Sequence, residues 1–144
     1  MGNNQSINKI NFEDMRYFIK NKNERIIINT LPESQQSCLI TNTVDPLNEV
    51  KVINKFMGKK DLKIIIYGRN CNDKTIHEKY NNLYNLGFTN LYLYSGGLFE
   101  WLCLQDIYGY EQFPTTTKEI DLLKFKSKPL LGNAIINNLL EDIN

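Results

Sequence analysis

The chain has 144 residues, 42% of them hydrophobic and 23% charged, which suits one soluble globular domain with a real core. A formal net charge of +1 gives no electrostatic footprint for nucleic acid, so no such partner is expected. No apolar run approaches a bilayer span. Three cysteines (Cys38, Cys71 and Cys103) without a secretory signal point to a reducing, cytoplasmic setting rather than a disulfide framework.

Met1-Gly2-Asn3-Asn4-Gln5-Ser6 fits the N-myristoylation pattern, with glycine second and serine four positions later; the same residues also read as a plain polar tail. A single acyl chain on Gly2 would bind membranes only marginally. Lys9, Arg16, Lys20 and Lys22 are interleaved with Glu13, Asp14 and Glu24, so no basic patch reinforces it. Residues 1–9 are expected to form a flexible tail. Asn11 can cap a helix through Phe12, Met15, Phe18 and Ile19, whose spacing is helical. Arg25–Asn29 (RIIIN) reads as a buried strand, Pro32 to Ser37 as a polar loop, and Ser37 to Asn42 as a short strand. Asp45-Pro46 is a helix start signal, and Leu47, Val50, Ile53, Phe56 and Met57 would supply that helix's buried stripe up to Gly58.

The stretch from Lys63 to Trp101 organises the chain. Ile64, Ile65, Ile66 and Tyr67 are apolar without alternation, as in a parallel strand covered on both faces. Gly68 ends the strand. Asn72 or Asp73 can cap the next helix, whose apolar face is Ile76, Tyr80, Leu83 and Tyr84, and Gly87 stops it. Leu91 to Tyr94 is the next strand, and Gly96-Gly97 turns the chain into a helix running through Trp101, Leu102, Leu104 and Ile107 to Gly109. Together these make a βαβ unit with a second helix behind it. Beyond it, Phe113-Pro114 breaks the pattern, a short helix is expected around Glu119 to Phe125, and Ala134 to Ile143 carries a last apolar periodicity.

The segment GFTNLYLYSGGLFEW (87–101), with the strand, loop and helix before it, resembles the C-terminal half of a rhodanese-like domain, and the likeness extends more loosely back to about Ile10. The resemblance implies an α/β fold, a small parallel sheet flanked by helices on both faces. The expected organisation is a tail (1–9), a rhodanese-like domain (10–117) and a C-terminal helical extension packed on it (118–144). Active members of that family carry a nucleophilic cysteine directly after the central strand. Here that position holds Gly68. The Asp and Arg often found after the earlier strand are likewise replaced, by Asn29 and Thr30-Leu31.

An active loop of this kind curls its backbone N–H groups around the sulfur, a cradle that favours anions and stabilises a thiolate. The corresponding residues are Gly68, Arg69, Asn70, Cys71, Asn72 and Asp73. Glycine cannot form a persulfide. Asp73 stands where related phosphatases place an arginine, and it would repel an anion about 5 Å away by roughly 3 kcal/mol at an effective dielectric of about 20. As a helix cap it would contribute about 1 kcal/mol. Cys71, inside the loop with Arg69 two residues away, is the candidate nucleophile of an alternative in which the chain is a sulfurtransferase or thiol-redox enzyme. Cys38 and Cys103 read as small hydrophobes, and His77, the one histidine, as a surface residue. The expectation is therefore a non-catalytic binding or regulatory module that takes a protein partner or a small anion. No metal or cofactor is expected, and any membrane association would be weak.

Overall fold

The computed structural model describes residues 7–21, 25–59 and 61–131. In chain order they form β1 (Asn8–Ile10), α1 (Phe12–Lys20), β2 (Arg25–Asn29), α2 (Glu49–Lys55), β3 (Lys63–Tyr67), α3 (Thr75–Asn85), β4 (Leu91–Tyr94) and α4 (Gly97–Tyr108), with single 3-10 turns at Glu33–Gln35, Pro46–Asn48 and Leu122–Phe125. The four strands make one parallel sheet in the order β1-β4-β3-β2. All five residues of β2 and residues 64–67 of β3 are buried, because helices cover both faces and leave no side for water.

Alternation along the strands divides the core in two. Ile27, Ile65, Tyr67 and Tyr94 point toward α1 and α4, meeting Met15, Ile19, Leu98, Trp101 and Leu102. Ile26, Ile28, Ile64, Ile66, Leu91 and Leu93 point the other way, onto Ile53 of α2 and Ile76, Tyr80 and Leu83 of α3. Trp101 is fully buried. Its ring meets Tyr94 and Phe113 edge-on, at 6.1 and 5.1 Å between centroids. Its indole N–H donates to the Pro114 carbonyl at 3.1 Å, so the polar atom of the largest core side chain is satisfied.

Helix starts follow local chemistry. Asn11 and Asp14 form a reciprocal capping box on α1. Asp45 accepts from the Leu47 N–H at 3.0 Å, with Pro46 at the first position. The helix that follows is shorter than its pattern suggested. Pro46–Asn48 is a 3-10 turn and α2 begins only at Glu49, so the residues before it are out of phase with those after it. Ile53 is buried, but Leu47, Val50 and Met57 are 92%, 71% and 46% exposed; the expected five-residue stripe reduces to Ile53 with Val52 and Phe56 half-covered.

Three other expectations change. The tail boundary at residue 9 falls inside β1, whose Asn8, Lys9 and Ile10 pair with Tyr92, Leu93 and Tyr94; a three-residue edge strand with two polar members gives no readable alternation. Ser37 to Asn42 forms no strand and contributes one antiparallel bridge, Ile40 with Thr115. The helix expected around Glu119 to Phe125 is the single turn Leu122–Phe125, held down by Phe125, which is 1% exposed. Gly2 and Ala134 to Ile143 lie outside the described residues. Among those described, no helix is long and apolar enough to cross a membrane.

Candidate functional site

Because the sheet is parallel, the connections that leave β2, β3 and β4 meet at one edge, where open α/β sheets hold their ligands. The loop from Gly68 to Lys74 lies there between Thr30, just past β2, and the Gly96-Gly97 turn. Its backbone is clamped by α4. The Leu98 and Phe99 N–H groups donate to the carbonyls of Gly68 (2.9 Å) and Arg69 (2.8 Å), so two of the orphan donors of that helix end are consumed by the loop. Gly97 makes the approach possible. It has φ +70°, and a Cβ there would stand 2.8 to 2.9 Å from the Asn70 nitrogen, the Arg69 carbonyl carbon and the Gly68 oxygen.

Asp73 closes the loop from within. One carboxylate oxygen, Oδ2, accepts the Arg69 N–H at 2.9 Å. The other, Oδ1, accepts the Thr75 N–H at 3.0 Å and lies 2.6 Å from the Thr75 hydroxyl, which in turn lies 2.7 Å from the Thr30 hydroxyl. A carboxylate can only accept, so the single proton of Thr75 goes to Asp73. Asp73 does contribute to the start of α3, but from one residue further out than a cap: Lys74 holds the cap position and makes no side-chain bond there. Its second oxygen spans the loop, which the capping expectation did not contain.

The empty side of Gly68 faces this carboxylate. A Cβ at position 68 would fall 2.4 Å from Asp73 Oδ2, 2.9 Å from its Cγ and 3.0 Å from Thr30 Oγ1. The two departures from the family's loop are therefore one steric fact. Residue 68 has no side chain, and the Asp73 carboxylate fills the volume one would take while accepting the Arg69 N–H.

The remaining loop residues face elsewhere. Arg69 Nη2 donates to the Lys124 carbonyl at 2.7 Å. Asn70, only 8% exposed, donates to the Phe125 carbonyl at 2.9 Å and accepts the Asn72 N–H at 2.9 Å. These bonds strap the loop to the 122–125 turn. Cys71 is exposed, and its one hydrogen-bond neighbour among the described residues is Asn72 Oδ1 at 3.9 Å; the Arg69 guanidinium is committed to Lys124 rather than to the thiol. Cys38 is buried, with its thiol 3.4 Å from the Thr117 carbonyl. Cys103 is half-buried, and burial, followed by the charges of Asp106 and Glu100, pushes its thiol up. It is a weak nucleophile at neutral pH. His77 is exposed on α3. Among the described residues no group of three or more His, Cys, Asp or Glu side chains could hold a metal ion.

Two cavities of useful size open beside the loop. One, about 410 Å³, lies between Thr30, Thr75, Glu49, Glu78 and Lys79. The other, about 250 Å³, lies between the loop and Lys126 and Lys128. Sequence reasoning noted Thr30 only as a departure from the family's pattern and missed Thr75 and the 122–128 wall. Only Thr75, the first residue of α3 and two residues after Asp73, carried a local signal.

Comparison with known proteins agrees with this architecture. The Alr3790 protein of Anabaena sp. superposes with a TM-score of 0.54 at 18% identity, over 94% of each chain. The single-domain sulfurtransferase RDL2 of Saccharomyces cerevisiae superposes at 0.51 and 14% identity, over 73% of this chain and 96% of that one. At these identities the likeness is one of fold. No curated protein matches the sequence. The family model described as "Rhodanese-like domain" matches residues 30–103, just over half the chain, and with the parallel sheet and its β3–α3 loop this places the chain in the rhodanese-like domain family.

Proposed function

We propose that this chain is a non-catalytic rhodanese-like module that binds a protein partner or a small anion at the sheet edge carrying the loop. What supports the reading above all is the Asp73 carboxylate, which stands 2.4 Å from where a side chain at position 68 would begin. A nucleophile cannot be housed there while that carboxylate keeps its bonds to Arg69 and Thr75. On this reading the partner is not nucleic acid, the setting is cytoplasmic, and acylation of Gly2 would add only a marginal membrane affinity.

The competing reading uses Cys71, which is exposed in the loop, as a displaced sulfur acceptor; a solved structure of the same fold is described as a sulfurtransferase. Incubation of the purified chain with thiosulfate and cyanide separates the two. The module should give no thiocyanate above background and no added sulfur by intact mass. Turnover that is lost in Cys71→Ser, with the fold intact, would replace the proposal with the enzyme. For the lipid, expression in a eukaryotic host should yield a mass lacking Met1 and carrying one acyl chain. An unmodified mass beside an acylated control would remove that element.

A further inference from the structure

The cavity of about 250 Å³ beside the loop is walled by Arg69, Asn70, Asn72, Asp73, Lys74, Lys126 and Lys128. Four of the seven are cations, in a chain whose formal net charge is only +1. Asp73, the one acid, opposes an anion here as it does in the loop, and set against the four cations it leaves the lining at a formal +3. Among the described residues the ion pairs are Lys79 with Glu49 and Lys124 with Glu119, so none of the four cations is neutralised by a carboxylate in contact. The Arg69 guanidinium donates once, to the Lys124 carbonyl, and its Nε is buried with no partner among the described residues. The straps from Asn70 and Arg69 to Phe125 and Lys124 fix the two sides of the cleft against each other. The lining thus carries an excess of positive charge, four cations to one carboxylate, and such a cleft concentrates counter-ions of the other sign.

We propose that this cleft is a binding site for a phosphate monoester group, held by Arg69, Lys74, Lys126 and Lys128. This deepens the binding-module reading and rests on it. A phosphate monoester carries about two negative charges and three acceptor oxygens, which matches a lining with an excess of cations, Arg69 among them. The volume is below the roughly 300–1,000 Å³ of sites for drug-sized ligands, so a compact group fits better than a nucleotide. Among the described residues the walls contain no aromatic side chain on which a base could stack. Lys126 and Lys128 lie beyond residues 30–103 matched by the family, so this wall belongs to the chain's own C-terminal segment.

The group could arrive as free phosphate or on a phosphorylated side chain of a partner. Calorimetric titration of the full chain with inorganic phosphate, with a phosphoserine peptide and with its unphosphorylated form, all at ionic strength matched with chloride, distinguishes the sources. Phosphate and phosphopeptide should bind, and chloride and the bare peptide should not. A phosphopeptide tighter than free phosphate would identify a protein partner, and equal affinity would identify the small ion. The double variant Lys126→Gln/Lys128→Gln, changed at two exposed positions, should weaken binding roughly tenfold, about threefold to fivefold for each surface charge. Absence of phosphate-dependent heat, or affinity unchanged in the double variant, would overturn the site. Sulfur transfer on the same preparation bears on the binding-module reading separately: turnover with phosphate binding intact would overturn that reading and leave the cleft.

Discussion

The turns that leave the neighbouring strands β3 and β4 use one device for different ends. At each, a glycine is followed by an acid, Asp73 five residues after Gly68 and Glu100 four residues after Gly96, and the carboxylate occupies the space of the missing side chain. A Cβ at 96 would lie 2.5 Å from the Glu100 carboxylate, and one at 68 would lie 2.4 Å from that of Asp73. Glu100 accepts from the buried Tyr94 hydroxyl at 2.7 Å, and burial followed by this carboxylate raises that hydroxyl's pKa far above its ordinary value. Asp73 instead accepts from the loop's own backbone. The first pairing is core chemistry. The second fills the space beside Gly68 with a carboxylate, and on the proposed reading this packing takes the place of a nucleophile.

The largest effects should come from the β4 turn, where the neighbours are backbone and core. Trp101→Ala should cost about 3–5 kcal/mol through the cavity it leaves, read as a shifted urea midpoint or loss of soluble protein. Gly97→Ala should cost about 2–5 kcal/mol, combining left-handed strain of about 1–2 kcal/mol with overpacking of about 1–3 kcal/mol against backbone that cannot yield. Gly96→Ala should cost less, about 1–3 kcal/mol, because the Glu100 side chain can swing away and leave the Tyr94 hydroxyl unsatisfied. If Gly96→Ala equalled Gly97→Ala in denaturant unfolding, the distinction between side-chain and backbone neighbours would fail. Cys71→Ser, an exposed change, should stay within about 0.5 kcal/mol.

Much of this was legible in sequence where local chemistry and burial agree. The buried runs RIIIN and IIIY, the Asn11 and Asp45 caps, and the Gly96-Gly97 turn leading into Trp101 each carry a local signal that tertiary packing reinforces. Gly68 and Asp73 stood out singly as departures. Their steric contact did not, because it depends on how the loop closes in space. The cationic wall was invisible for a related reason. Lys126 and Lys128 lie more than fifty residues from the loop in the chain and reach it only through the carbonyls of Lys124 and Phe125, which accept from Arg69 and Asn70, and backbone acceptors leave no residue signature. The Leu47 to Met57 stripe misled because α2 spans only Glu49–Lys55: Leu47 lies in the 3-10 turn before it, Met57 lies past its end, and Val50 is on its exposed side.

Restoring the family's nucleophile is a milder test of the same contrast. Gly68→Cys alone should remain inactive toward thiosulfate, since Asp73 contests the same space, while Gly68→Cys with Asp73→Ala should take up sulfur to a greater extent, seen as added mass after thiosulfate treatment.

The contact between residues 68 and 73 is tested most directly by a double-mutant cycle in urea. Gly68 lies outside the positive-φ region, so an alanine there is opposed by the Asp73 carboxylate and not by its own backbone. Gly68→Ala and Asp73→Ala should each cost about 1–3 kcal/mol, because each removes the carboxylate's bonds to Arg69 and Thr75. The double variant should then cost little more than either single one, leaving a coupling of about 1 kcal/mol or more. Additivity of the two changes to within about 0.5 kcal/mol would contradict the account.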